Sequence, residues 1–144
     1  MKDIRIGHGY DVHALADGLR LVIGGVELEH TKGCVAPSDG DVAIHAICDA
    51  MLGALALGDI GQHFPDTDAE FKDADSLVLL KKVVELIKLK GYEVNNIDAT
   101  VIAQAPKLAP FIDQMRENIA LALGVGIDYV SVKATTEEKL GFTG

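Results

Sequence analysis

The 144-residue sequence predicts a single α+β domain, a mixed sheet covered on one face by helices. Three observations lead there. The length suits one compact domain, and no linker, internal repeat or low-complexity stretch divides it. Segments alternating apolar and polar residues are interleaved with segments whose apolar residues recur every three or four positions. The composition, 49% apolar and 24% charged with 15 Gly, no Trp and 5% aromatics, is that of a folded core built from Ala, Val, Leu and Ile.

Each element follows from local pattern. Ile4 to Val12 predicts a first strand. Leu21-Val22-Ile23 and Val26 to Glu29 flank Gly24-Gly25, a hairpin signal because paired glycines accept positive φ in a tight turn. Gly33 to Gly40, with Pro37, Ser38 and Asp39, predicts a loop entering a helix. Asp41 to Leu57 is that helix, apolar nearly all round and so mostly buried, with Asp41, His45 and Asp49 stacked as its one polar stripe. Gly58 to Ala74 is an acidic loop carrying Pro65. Asp75 to Lys90 is an amphipathic helix with Leu80, Val83, Val84 and Ile87 inward. Lys88 and Lys90 suit the negative end of its dipole, and Gly91 caps it. Ile97, Ala99, Val101 and Ala103 alternate in a fourth strand stopped by Pro106. A third helix is marked by Ile112, Met115, Ile119 and Ala122 and ends near Gly124; Val130, Val132 and Ala134 mark a fifth strand. The last ten residues have no periodicity, and the pattern leaves a sheet edge unfinished.

Charge and cysteine content exclude several functions. Thirteen Lys+Arg against 22 Asp+Glu give a net charge of −9, which argues against a basic nucleic-acid-binding surface. No apolar run approaches the ~20 residues that span a bilayer. The start, Met-Lys-Asp-Ile-Arg-Ile, lacks the apolar segment of a signal peptide, so a cytoplasmic location is expected. Cys34 and Cys48 make neither a disulfide framework nor a four-thiolate zinc site.

Asp11 and His13 stand at positions i and i+2 of the predicted first strand, so their side chains point to one face. A zinc site needs three or four N, O or S ligands, and His45 on the stripe of a buried helix is the best third candidate. The alternative is a solvated Asp-Val-His beside a hydrogen-bonded core histidine. Asp49, one turn on, either orients the imidazole or pairs with a lysine. His8, His30 and His63 have no comparable context. Ser38-Asp39-Gly40-Asp41 at a helix start suits either a phosphate or an ordinary N-cap. Lys133 to Lys139 places hydroxyls, carboxylates and two ammonium groups where a polyphosphate with a divalent cation could be held, or forms a solvated charged turn. Asp59, Asp66 and Asp68 suit the hydroxyls of a polyol or a soluble surface. Gly7-His8-Gly9 lacks the third glycine and following helix of a dinucleotide fingerprint, and no nucleophile elbow is present.

In combination these segments resemble the 2-C-methyl-D-erythritol 2,4-cyclodiphosphate synthases. The resemblance is carried by Arg5 to His13, by Ser38 to Val42 with His45, and by Gly58 to Gly61 with Phe64 to Asp68. Ala103 to Lys107, Lys133 to Thr136 and Glu138 to Gly144 continue it to the last residue. It implies a phosphorus–oxygen lyase of the non-mevalonate isoprenoid pathway in the bacterial cytoplasm. The substrate's 2-phosphate attacks the β-phosphorus of a cytidine diphosphate ester of methylerythritol, closing a cyclic diphosphate and releasing CMP. By resemblance Asp11, His13 and His45 hold Zn²⁺, and Glu138 holds a second divalent ion, Mg²⁺ or Mn²⁺. Asp59 and Phe64, Pro65, Asp66, Thr67 and Asp68 line the methylerythritol pocket. Ala103, Pro106, Lys107, Leu108 and Ala109, with Thr135 and Thr136, hold the cytidine end. Ser38, Ile60, Gly61, Gln104, Ala105, Glu137 and Phe142 are further substrate-binding positions, and Thr136 is catalytic. Homotrimers with active sites between subunits are implied as well.

The chemistry fits these residues. A phosphate with a second pKa of about 6 is already largely anionic, so the reaction needs alignment and charge neutralisation more than a strong base. Two cations with Thr136 and Lys107 also answer how a chain at −9 binds a polyanion. Two departures stand out. Pro37 occupies a catalytic position that is usually His, removing an imidazole and a backbone N–H together; intact folding and metal binding with weakened turnover are expected. Family members also continue past Gly144 with an arginine and a final strand, so the sequence is expected to lack that strand. A zinc hydrolase using the same ligands and a weakly catalytic trimer that binds an isoprenoid diphosphate are the competing readings.

Overall fold

Helix α1, Val42–Ala54, begins where Asp41 leaves helical geometry at φ −70°, ψ 92° and accepts the N–H of Ile44. The computed structural model describes residues 3–65 and 75–144. α1 buries Ile44, Ile47, Cys48, Met51 and Leu52, as its apolar circumference predicts. After it a short helix α2, Ile60–His63, interrupts what the sequence marked only as loop. Helix α3, Ser76–Leu89, is capped by Asp75 and turns Leu80, Val83, Val84 and Ile87 inward, and Gly91 takes the left-handed conformation just past its end. Helix α4, Ile112–Leu123, follows a 3₁₀ turn at Ala109–Phe111 and stops at the left-handed Gly124.

The strands are β1 Leu15–Asp17, β2 Leu21–Ile23, β3 Val26–Leu28, β4 Lys32–Cys34, β5 Ile97–Ile102 and β6 Val130–Thr135. β2 and β3 form the foreseen hairpin, with Ile23 opposite Val26 and positive φ at both Gly24 and Gly25. β5 and β6 run parallel, Ile97 opposite Val130 through Ile102 opposite Thr135, joined by a crossover containing α4. Val101, Val130 and Val132 enter the core, whereas Asp98, Thr100, Ile102, Ser131 and Lys133 are exposed. One hydrophobic cluster joins them to α1, α3, α4 and the β2–β3 hairpin.

Two expectations need correction. The strand foreseen at Ile4 to Val12 carries no ladder among the described residues; the first strand is β1, which pairs with β4 where the foreseen 33–40 loop begins. The earlier segment instead lays its glycines on α1: a Cβ at Gly7 would fall 1.7 Å from the Ala50 carbonyl oxygen, and one at Gly9 1.8 Å from that of Ala46. The apolar residues just before them, Ile4 and Ile6, are exposed, so the alternation that suggests a strand has glycine as its inward member. The single mixed sheet is likewise replaced, among the described residues, by three two-stranded sheets, β1–β4, β2–β3 and β5–β6. A Cβ on Gly33 in β4 would meet the Arg20 carbonyl oxygen, just before β2, at 2.0 Å, yet among the described residues no ladder joins these two strands. Among the described residues no helix is long and apolar enough to cross a membrane.

Candidate metal centre

The close approach of Gly9 to α1 brings the residues that follow it alongside the helix stripe. Asp11 Oδ2 lies 2.9 Å from His13 Nε2 and 3.2 Å from His45 Nδ1, and the two ring nitrogens are 3.2 Å apart. Their rings meet edge-on at 79°. A tetrahedral ion with ~2.0–2.1 Å bonds to nitrogen and oxygen sets its ligand atoms about 3.3 Å apart. Two imidazole nitrogens and one carboxylate oxygen converging at this spacing therefore fit one face of such a coordination shell. Among the described residues this is the group of His, Cys, Asp and Glu able to hold a metal ion, and Glu138 is not part of it.

Electrostatics favour charge separation at the centre. Burial works to raise the Asp11 carboxyl, but hydrogen bonds from His13 and His45 outweigh it and hold it well below the usual carboxylate range. The Asp11 hydrogen bond in turn raises His13, against the opposing effect of burial. His45 is 7% exposed. Its far nitrogen, Nε2, is 2.9 Å from Ser76 Oγ and 3.3 Å from Ser38 Oγ. Ser76 donates onward to Asp39 Oδ1 at 2.5 Å, and its backbone N–H donates to Asp39 Oδ2 at 2.9 Å. The serine has a helix start as its only sequence signal, so its contact with the centre is not legible from pattern.

The surrounding polar residues divide by role. Asp41 is fully buried and receives N–H bonds from Gly24, Gly25 and Ile44, so it occupies the positive end of α1 itself and ties the β2–β3 hairpin there. The start of α1 is thus an N-cap. Among the described residues Asp49 accepts the Ile60 N–H, at 2.9 Å, and so fixes the start of α2 to α1. Asp59 caps α2 by accepting the Gln62 N–H, with Ile60 and Gly61 following it and Phe64 and Pro65 half-buried beyond. Asp66, Thr67 and Asp68 lie outside the described residues. His63 donates to the Leu57 carbonyl, a structural contact.

A second polar cluster gathers where β5 and β6 end. Ala103 N–H donates to the Thr135 carbonyl, and the Ala105–Pro106 peptide is cis. Gln104 Oε1 accepts from the backbone of Lys139, linking the segment after β5 to the segment after β6. Lys107, Ala109, Thr135, Thr136, Glu137 and Glu138 are exposed, whereas Leu108 is 4% exposed and belongs to the core. Thr136 Oγ1 accepts the Glu138 N–H, Thr143 donates to Glu137, and Phe142 projects from the surface at 80% exposure. Glu138 and Lys139 both have positive φ, 55° and 63°, so this turn is held against the preference of L-residues. Pro37 is exposed beside Ser38.

A sequence model of the YgbB family matches residues 4–144. A 2-C-methyl-D-erythritol 2,4-cyclodiphosphate synthase from Thioalkalivibrio sulfidiphilus is 63% identical over 144 residues, covering 100% of this chain and 90% of its own. One from Clostridioides difficile is 61% identical over 141 residues, covering 98% and 88%. Among solved structures, a synthase in a CDP-bound form superposes with a TM-score of 0.90 at 34% identity, covering 94% of this chain and 91% of that one. The bifunctional IspDF from Campylobacter jejuni gives a TM-score of 0.93 at 47% identity, covering 98% of this chain, which spans 38% of that longer one.

Proposed function

The chain belongs to the YgbB family, and on that premise we propose that it is a metal-dependent 2-C-methyl-D-erythritol 2,4-cyclodiphosphate synthase. Its substrate is 4-diphosphocytidyl-2-C-methyl-D-erythritol 2-phosphate. An oxygen of the 2-phosphate bonds to the β-phosphorus, the bond from that phosphorus to the bridging oxygen breaks, and CMP leaves with that oxygen. Classed by its bonds, this is a phosphorus–oxygen lyase reaction. The observation that carries the reading is the Asp11–His13–His45 triangle, set beside Ser38, in a chain matched to the family over residues 4–144.

Asp11, His13 and His45 would hold Zn²⁺, and Glu138 would hold Mg²⁺ or Mn²⁺. When bound, these cations supply Lewis acidity and neutralise the charge on the diphosphate. The protein's own groups then align the reactants. Asp59 offers a carboxylate to methylerythritol hydroxyls on a turn that Asp49 secures, and Ile60, Gly61, Phe64 and Pro65 wall the same pocket with Asp66, Thr67 and Asp68. Ala103 to Ala109 and Thr135 form the cytidine site, Leu108 by supporting it from the core, with Gln104 holding that segment to the turn carrying Glu137 and Glu138. Thr136 and Lys107 place a hydroxyl and an ammonium against the developing charge. Glu138 stands outside the Asp11 group, which supports an active site completed between subunits of a homotrimer. We place the trimer in the cytoplasm.

Cyclisation and metal-assisted hydrolysis are told apart by running the reaction in H₂¹⁸O and weighing the products. The expected outcome is CMP and a cyclic diphosphate, both free of solvent oxygen. Label incorporated into a released phosphate would identify a zinc hydrolase instead. An isoprenoid diphosphate bound tightly, with no cyclic product from the cytidine substrate, would make the protein a binding trimer.

A further inference from the structure

His45 reaches the metal centre through Nδ1, so its usefulness as a ligand depends on which ring nitrogen carries the proton. The opposite nitrogen is buried, and what it meets is a directed sequence of donors and acceptors. Asp39, as a carboxylate, only accepts. It takes both the hydroxyl and the backbone N–H of Ser76, at 2.5 and 2.9 Å. Ser76 is fully buried, with its one hydroxyl proton committed to Asp39, so it faces His45 Nε2 at 2.9 Å with a lone pair. Only an Nε2–H satisfies that lone pair. Asp11 Oδ2, 3.2 Å from Nδ1, competes for this proton when no cation is bound; the Ser76 contact is the shorter one and draws it to Nε2, leaving the Nδ1 lone pair for the metal. Ser38 Oγ, at 3.3 Å from Nε2, offers a longer second acceptor, and it already receives the Gly40 N–H.

We propose that Asp39 and Ser76 are positioning residues that fix His45 in its Nε2–H form and aim its Nδ1 lone pair at the metal, an inference that rests on the metal-centre reading above. The pair joins the loop before α1 to the first residue of α3, so the ligand on α1 is oriented from two other parts of the chain. Carboxylate partners behind metal-bound histidines typically change metal affinity 10–100-fold when removed.

The test uses the full chain, ¹⁵N-labelled and metal-free, above the imidazole titration range, with long-range ¹H–¹⁵N correlations reading the His45 tautomer. The wild type is expected to hold the Nε2–H form. S76A is expected to mix the two tautomers and to weaken Zn²⁺ binding roughly 10–100-fold in a chelator competition, with circular dichroism unchanged. D39N, which keeps an acceptor oxygen but loses the charge, is expected between them; it also serves if S76A does not fold. A wild-type Nδ1–H tautomer, or variants with wild-type tautomer and zinc affinity, overturns the proposal. Failure of the wild type to bind zinc would instead sink the metal-centre reading. The tautomers of wild type and variants would still decide the role of Asp39 and Ser76.

Discussion

Asp41 joins two parts of the fold at a single carboxylate. It accepts three backbone N–H groups, two from the glycine turn and one from α1, while fully buried. Burial is the largest influence on its proton and raises it; the N–H bonds from Gly25, Ile44 and Gly24 oppose that, and the balance lies at about 6 against an ordinary 3.8. A folded-state value above the unfolded one means that the native state binds the proton more tightly. The stabilisation is therefore complete below about pH 4 and is lost as the pH rises through about 6, by roughly 3 kcal/mol. Urea midpoints measured across this range are expected to fall with rising pH in the wild type, relative to D41N, which has no such proton to lose. Parallel pH profiles for the two proteins would contradict this. D41N should also be less stable at every pH, because an amide N–H then faces the Gly25 N–H.

At the scale of elements, the contact of residues 7–9 with α1 decides where two of the three proposed ligands lie. G9A puts a methyl group 1.8 Å from the Ala46 carbonyl oxygen, which no side-chain rotation relieves. The segment must retreat, carrying Asp11 and His13 from His45. G9A is expected to lose at least tenfold in zinc affinity and ~2 kcal/mol of stability; wild-type zinc affinity in G9A would show that the approach does not set the site. This same contact explains what the sequence conceals. The helices α1, α3 and α4, the β2–β3 hairpin and the β5–β6 strands were legible because each repeats a pattern that burial enforces locally. Strands β1 and β4 were not, since three residues are too few to show a period. The segment before β1 reads as a strand because alternation reveals two faces without revealing that the inward one is glycine. His45 was found by its isolation on an apolar helix. Asp49 on the same stripe suggested a partner for that imidazole, yet it accepts the Ile60 N–H at the start of α2, a helix too short to have a hydrophobic period. Ser76 was missed because its partner Asp39 is remote in sequence, at a separation only folding closes.

For the whole molecule, the charge of −9 sets the problem that the site must solve. A polyanionic substrate approaches such a surface only where cations and local donors reverse the potential. Glu138 lies outside the Asp11–His13–His45 group, so the proposed reaction requires both to meet one substrate, which the proposed trimer with shared sites would provide. Pro37 bears on rate alone in this account: it sits exposed beside Ser38, outside the core and the metal triangle. P37H is accordingly expected to raise kcat by up to ~100-fold, the scale of one transition-state donor, with zinc affinity unchanged.

The central claim, cyclisation at a metal-bound diphosphate, is tested most directly by ³¹P NMR of the purified protein with the cytidine diphosphate substrate, Zn²⁺ and Mg²⁺, wild type and P37H in parallel. The account predicts that the substrate's phosphomonoester signal disappears while paired cyclic-diphosphate resonances and CMP grow together, faster in P37H, and that a chelator stops both. Unchanged spectra for both proteins with zinc bound, or accumulation of inorganic phosphate in place of the cyclic product, would contradict it.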